Sequence, residues 1–405
     1  MTDRVVLDEL GRQGAVRRLS ADQVHVLNGL GLVDLHPRPD GTWLLQPTDR
    51  VGVVRYGDLE VQVRPKVGVA RLLFLLGYAR DPGFRPEDVD GIPEPDLWPA
   101  LAHSLARQAE RALQRGVLQG YLSVEDALPV VRGRIRLTDQ ITRRPATVVP
   151  IEVRYDDFAA DIPENQILRT AIRRMLAVPG VDDAVRSRLS YLDTRLPTVR
   201  VIPHGAPIPS WRLTRLNARY APALPLAELV LRHQSTEPGP GGLAVSAFMV
   251  SMPAVFEDFV TTALREALAP YPGRTYAQYD ATLDEQNRVP IRPDVVYIMD
   301  GRPVAVFDAK YKREGASGRY GNADTYQMLA YCTALAVPTG WLVYAQGDDP
   351  PAVHRVRQTS IDIVHWPLDL QASPREILSQ VNALATRAMA AGPAGLRPAP
   401  TVDAI

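Results

Sequence analysis

Two carboxylates and a lysine are drawn together by the run from Ile291 to Lys312, IRPDVVYIMDGRPVAVFDAKYK. Two β-rich segments, IRPDVVYIM and PVAVFDAKY, flank Asp300-Gly301, a dipeptide that favours the positive φ angles of a tight hairpin turn. Side chains alternate faces along a strand, so Asp308 and Lys310 project from the same side. The turn folds Asp294 back toward Phe307 and Asp308. Burying such charges is costly unless they pair or bind a metal. Hard oxygen ligands on two strands can hold Mg²⁺, which keeps several of its waters. A metal so placed makes a bound water more acidic and offsets charge building on a scissile phosphate. A neighbouring lysine can orient or deprotonate the attacking water and stabilise that charge. The same residues also describe an exposed hairpin end with a solvated salt bridge.

The stretch resembles the PD-(D/E)xK nuclease signature, with Pro293-Asp294 followed by Asp308-Ala309-Lys310. Composition sharpens the reading. Of 46 basic residues only Lys66, Lys310 and Lys312 are lysines. Arginine is always charged and forked, whereas lysine is a compact cation whose pKa moves on burial. A chain that otherwise uses arginine yet keeps lysine two residues after Asp308 points to a task that arginine would not serve. Lys312 is read as a solvated neighbour.

The flanking elements must position this hairpin. In PAVFEDFVTTALREALA, residues 253–269, Glu257 falls in the apolar helical row of Val260, Leu264 and Leu268, while Asp258 joins Thr262 and Arg265 on the polar face. A glutamate in an apolar row needs a partner, either water at the stripe's edge or a metal site, which makes Glu257 a candidate ligand. After the hairpin, KREGASGRYGN reads as a mobile glycine-rich loop. DTYQMLAYCTALA then reads as a helix with Asp324, Gln327 and Tyr331 on one face. Gln327 is a candidate for holding a catalytic water or a phosphate; Tyr331 is equally an ordinary core aromatic. The strand GWLVYA follows. Helix, hairpin, helix and strand match the αβββαβ order of restriction-type nucleases, with at least one strand unassigned before Ile291.

The rest of the chain reads as an α+β or α/β multidomain protein of 405 residues. Residues 1–90 form a β-rich domain with a Gly57-Asp58 turn, ending in the buried helix ARLLFLLGYAR. The Pro/Gly/Asp-rich linker DPGFRPEDVDGIPEPD leads to a mainly helical middle domain, 91–236. Asp161 is the expected N-cap of a helix with Pro163 in its first turn. EPGPGG at 237–242 reads as a hinge into a nuclease domain, 243–370. Residues 371–405 form a helix and a disordered tail.

Formal net charge is zero, so any nucleic-acid surface must be local or supplied by a partner. Between His103 and Arg154 nine arginines face five acidic residues, which makes either a phosphate-facing patch or a solvated helix face. The single cysteine, Cys332, excludes intramolecular disulfides and cysteine-rich zinc sites. The longest run of strong hydrophobes, Leu72 to Leu76, is far too short to span a membrane, and no signal peptide precedes it. A cytoplasmic protein without membrane partners is expected. No Walker loop or GxGxxG element gives this chain a nucleotide site.

The segments VGVVRYGDLEVQVRPK, LLFLLGYA, VRGRI, YDDFAADIPENQIL, MPAVFEDFV, the hairpin and DTYQMLAY, taken in that order, resemble McrC, the nuclease subunit of McrBC modification-dependent restriction systems. The resemblance implies a C-terminal endodeoxyribonuclease of PD-(D/E)xK type centred on Asp294, Asp308 and Lys310. The residue reading supplies Mg²⁺, or Mn²⁺ in its place, as cofactor and Glu257 and Gln327 as further site residues, and modified double-stranded DNA is the expected substrate. The resemblance also implies an N-terminal region that docks on McrB, a nucleotide-hydrolysing AAA+ hexamer, and stimulates its hydrolysis. Two other functions stay open: a regulatory activator of the NTPase with a weak nuclease, and a stand-alone DNA-repair nuclease.

Overall fold

The computed structural model describes residues 3–11, 13–80, 82, 97–145, 147–178, 181–238, 243–311, 322–345 and 350–391. Nearly all of the linker at 81–96, the glycine-rich stretch at 312–321 with Lys312, and the tail from Gly392 lie outside the described residues. The fold is mixed α/β, with several sheets and ten α-helices among the described residues. No helix among them is long and apolar enough to cross a membrane. Contacts divide the chain into two compact units, residues 1–100 with 233–405, and residues 101–232.

That division follows from one strand pairing. Ala244–Ser251 lies antiparallel to Arg50–Tyr56, which pairs with Leu59–Arg64 across the Gly57-Asp58 turn. Asp3–Asp8 adds in parallel at one edge and Gln234–Pro238 at the other. Residues 237 and 238, expected in a hinge, are thus strand, and the segment expected to open a separate last domain completes an N-terminal sheet. Gly52 permits the pairing: its φ is 147°, and a Cβ there would lie 2.0 Å from the Phe248 carbonyl oxygen.

Ala244–Ser251 runs straight into the helix Met252–Leu268, with Pro253 in its first turn. That helix packs on Val69–Arg80, whose residues from Leu72 to Tyr78 are all buried. Phe74, Tyr78 and Phe259 form a triangle of rings with centroids 5.6 to 5.8 Å apart. Buried aromatics in such pairs contribute roughly 0.5–1.5 kcal/mol beyond their area burial.

A six-stranded sheet follows, in the order Arg274–Ala277, Val295–Met299, Arg302–Lys310, Thr339–Ala345, Asp362–Leu368, Ala352–Arg355. Arg274–Ala277 supplies the strand left unassigned before Ile291. The first three strands are antiparallel, and Arg302–Lys310, Thr339–Ala345 and Asp362–Leu368 are parallel. The helix Asn322–Leu335 covers one face through Met328, Tyr331 and Cys332, packed on Val306, Leu342 and Ile363. Gly340 lets it approach: a Cβ there would meet Met328 Sδ at 2.4 Å and Cys332 Sγ at 2.6 Å. Cys332 is a core residue, with burial pushing its thiol up to about 12.

Smaller elements depart from the sequence expectation. In the first fifty residues a helix, Ala21–Leu30, is fixed by a capping box between Ser20 and Gln23, and a three-stranded sheet accompanies it. In the second unit Gly120–Leu128, Ile151–Ala159 and Arg134–Ile135 form a sheet amid the helices. The N-cap of Pro163–Leu176 is Ile162, not Asp161. The Asp161 carboxylate is instead occupied by Gln166 Nε2 at 2.9 Å and the Arg200 backbone N–H at 2.7 Å.

Candidate active site

The hairpin forms as its turn residues dictate. Asp300 has φ 49° and Gly301 φ 76°, the two left-handed positions of a two-residue turn that suits twisted strands. Val295 pairs with Phe307, with a register shift after Tyr297. Asp294 therefore enters the strand opposite Asp308. Asp294 Oδ2 accepts the Ala309 backbone N–H at 2.8 Å, and its carboxyl group lies within hydrogen-bonding reach of Asp308. Lys310 Nζ contacts Asp308 Oδ2, on the same face two residues along. Asp308 is 2% exposed and the Lys310 side chain 18%, so the ammonium reaches the surface from a buried partner.

Glu257 approaches from the first turns of Met252–Leu268 but does not touch the aspartates directly. Gln278 stands between: its Nε2 donates to Glu257 Oε1 and to Asp294 Oδ1, the latter at 3.2 Å. Its backbone N–H donates to the Asp294 carbonyl at 2.8 Å, and its φ is 48°. A non-glycine residue in left-handed backbone, with both amide groups engaged, marks a local conformation imposed by the surroundings. No signal in the sequence singles out Gln278, since its place depends on the strand Arg274–Ala277.

Gln327 is exposed and lies beside Tyr331, within side-chain reach of its phenol. Tyr331 is 4% exposed, belongs to the core, and donates its hydroxyl to the Arg292 carbonyl at 3.4 Å. Burial first, then the charges of Asp308 and Asp294, raises its phenol above the ordinary range. Asp324 is buried elsewhere in the same layer and accepts a hydrogen bond from Tyr344. The three residues assigned to one helical face thus have different surroundings.

The electrostatics show excess negative charge. Burial is the main cause of the rise of Glu257 to about 7, with Asp294, Asp258 and Asp308 adding to it and Lys310 opposing. Asp308 is raised too, by burial and then by Asp294, against the pull of Lys310. Among the described residues no three His, Cys, Asp or Glu side chains form a ready metal cage. The donor set is the facing aspartates, whose mutual repulsion a divalent cation would relieve. Oxygen donors, few of them and partly open, suit Mg²⁺ or Mn²⁺ retaining water. Glu257 reaches that set through the amide of Gln278.

The sequence matches, over residues 45–345, the family described as McrBC 5-methylcytosine restriction system component. In fold, the chain resembles one in the refined half-complex from the tetradecameric assembly of Thermococcus gammatolerans McrB AAA+ hexamers with bound McrC. That match has a TM-score of 0.59 and 17% identity, covering 94% of this chain and 99% of the other. A chain in the cryo-EM structure of the Thermococcus gammatolerans McrBC complex matches at a TM-score of 0.41 and 18% identity, over 66% of this chain and 88% of the other. No curated protein matches the sequence.

Proposed function

Because the chain belongs to the McrBC 5-methylcytosine restriction system component family, we propose that it is the Mg²⁺-dependent endodeoxyribonuclease subunit of such a system, of PD-(D/E)xK type. The observation that carries this is the facing pair Asp294 and Asp308 with Lys310 on Asp308, at one end of a sheet flanked by helices. The strand order, two antiparallel pairings and then parallel strands with a covering helix, supports a restriction-nuclease core.

Each residue has a physical task. Ala309 N–H fixes one Asp294 oxygen, so its carboxylate is presented in a set orientation. Asp308 holds the Lys310 ammonium, which orients a water for attack and stabilises charge developing on the phosphate. Gln278 holds Glu257 and Asp294 apart at a fixed spacing. Bound Mg²⁺ supplies an acidified water and a counter-charge for the phosphate. Gln327 serves as an outer contact acting through Tyr331.

The partner is an McrB-like AAA+ hexamer whose nucleotide hydrolysis the chain stimulates, and the DNA is a duplex carrying modified cytosine. The second unit offers a surface for that partner. None of the residues of the helix Leu137–Arg143 is buried, yet Leu137 and Ile141, one turn apart, are apolar and 67% and 69% exposed. Tyr121 and Phe158 pair across neighbouring strands in open solvent, with ring centroids 5.1 Å apart. Such apolar exposure favours docking through this unit over docking through residues 1–90.

The test is cleavage of methylated duplex DNA by the chain with its partner, nucleotide and Mg²⁺. Asp308→Ala and Lys310→Ala are expected to lose cleavage and keep stimulation of hydrolysis. Lys310→Arg is expected to be nearly as defective, because a fork cannot replace a compact titratable ammonium. Full cutting by Lys310→Arg, or cutting that survives Asp308→Ala, would overturn the assignment.

A further inference from the structure

One buried charge has no task in the proposed reaction. Glu9, just past the strand Asp3–Asp8, is 0% exposed. Its backbone N–H donates to the Arg64 carbonyl at 2.9 Å, and its Oε2 accepts the Lys66 backbone N–H at 3.0 Å. The Tyr311 phenol lies beside this carboxylate, within side-chain reach, and the buried Glu9 Oε1 has no other donor among the described residues. Lys66 is held in turn, its carbonyl accepting from Gln371 Nε2 at 2.9 Å. Burial raises the Glu9 carboxyl, and its contacts with Tyr311 and Lys66 oppose that rise.

Tyr311 is the residue after Lys310. The parallel ladder along this strand ends at the pair Lys310 and Tyr344, so Tyr311 is the first described residue beyond the sheet's hold. Its ring packs on Phe256, centroids 5.8 Å apart, and Phe256 precedes Glu257. Tyr311 is thus the backbone neighbour of one site residue, packs on the neighbour of another, and lies beside a carboxylate some three hundred residues earlier in the chain. A buried carboxylate deprived of a donor is costly, which makes this tether firm.

We infer that Glu9 is a positioning residue for the nuclease: through Tyr311 it fixes the end of the strand Arg302–Lys310 and thereby the place of the Lys310 ammonium. The inference rests on the nuclease reading for its functional consequence, and on geometry alone for its structural one. Displacing a catalytic group by an ångström can cost about a hundredfold in rate, so a tether at the residue after the strand bears on turnover and not on DNA affinity.

The experiment uses the full chain with its AAA+ partner. Tyr311→Phe keeps the ring and removes the hydroxyl; Glu9→Gln keeps the shape and removes the charge. Amine acylation read by mass spectrometry gives a signal independent of cleavage, with exposed Lys66 as the internal reference for Lys310. Tyr311→Phe is expected to acylate several-fold faster at Lys310 and at the wild-type rate at Lys66. Its kcat for cleavage is expected to fall about tenfold with KM unchanged. Glu9→Gln, which also alters the surroundings of Lys66, is expected to give the same change at Lys310 and in kcat, and the double variant to be no worse than either alone. Unchanged Lys310 acylation in Tyr311→Phe would overturn the inference, as would Lys66 acylation or NTPase stimulation changing in parallel in that variant. If the wild-type chain cuts nothing while Lys310 acylation still responds, the nuclease reading fails and the positioning role stands.

Discussion

Glu257 and Asp308 are carboxyls whose folded environment favours the proton, and this has a thermodynamic sign. Their folded pKa values lie above the unfolded ones, so the unfolded chain binds fewer protons between about 4.5 and about 7. The metal-free protein should lose stability as pH rises through that window. Glu257→Gln should melt higher than wild type at pH 8 and at a similar temperature at pH 5. A divalent cation between the aspartates should reverse the trend. A Mg²⁺ concentration a hundred times its Kd at pH 8 should stabilise the chain there by about 2.7 kcal/mol, the same concentration should give less at pH 5.5, and Asp308→Ala should abolish the gain. Melting curves with and without Mg²⁺ at the two pH values decide this; an equal Mg²⁺ effect in Asp308→Ala would remove the aspartate pair as the site.

Among elements, the hairpin was the most legible part of the chain because its information is local. A two-residue turn, strict alternation and a lysine where arginine is the habit place Asp294, Asp308 and Lys310 without any long-range knowledge. The capping box at Ser20 and Gln23 is equally local, and it sets a helix in a region whose alternation otherwise suggests strands. Gln278 and Glu9 were not legible. Their partners, Asp294 and Tyr311, lie sixteen and some three hundred residues away, and only strand register brings them near. The same holds for Ala244–Ser251, which joins a sheet built of residues nearly two hundred positions earlier.

The helix Asn322–Leu335 carries a prediction at this scale. It lies so close to the strand Thr339–Ala345 that Gly340 has no room for a Cβ against Met328 and Cys332. Gly340→Ala should cost about 1–3 kcal/mol through overpacking, read as a lower melting temperature. Because Tyr331 rides on that helix, the variant should also cleave more slowly in proportion to the helix's displacement. A melting temperature equal to wild type would show that Met328, the adaptable neighbour, repacks at no cost.

For the molecule as a whole, charge sets the division of labour. With 46 basic and 46 acidic residues there is little counterion release to drive DNA binding, so the purified chain should bind duplex weakly and cut poorly alone. The proposed AAA+ partner with nucleotide should make cutting efficient. Leu137→Asp with Ile141→Asp removes two exposed apolar side chains from a helix without buried residues, and surface changes of this kind typically shift stability by under about 0.5 kcal/mol. The pair should abolish partner binding and NTPase stimulation while the melting temperature holds. Partner affinity measured by titration checks this, and unaltered affinity would move the docking surface elsewhere.

The strand Ala244–Ser251 also sets a timetable. On the ribosome, Arg50–Tyr56 emerges with one edge unpaired, and its partner is not made until the whole second unit has been synthesised. At about 5–20 residues per second the interval is roughly 10–40 s. Throughout it a strand of Val51, Val53 and Val54 waits as an open template for any passing β-edge. The helix bearing Glu257 comes off the exit tunnel directly behind the strand that closes the gap, so each newborn chain can seal the sheet just before the residues of the candidate site arrive.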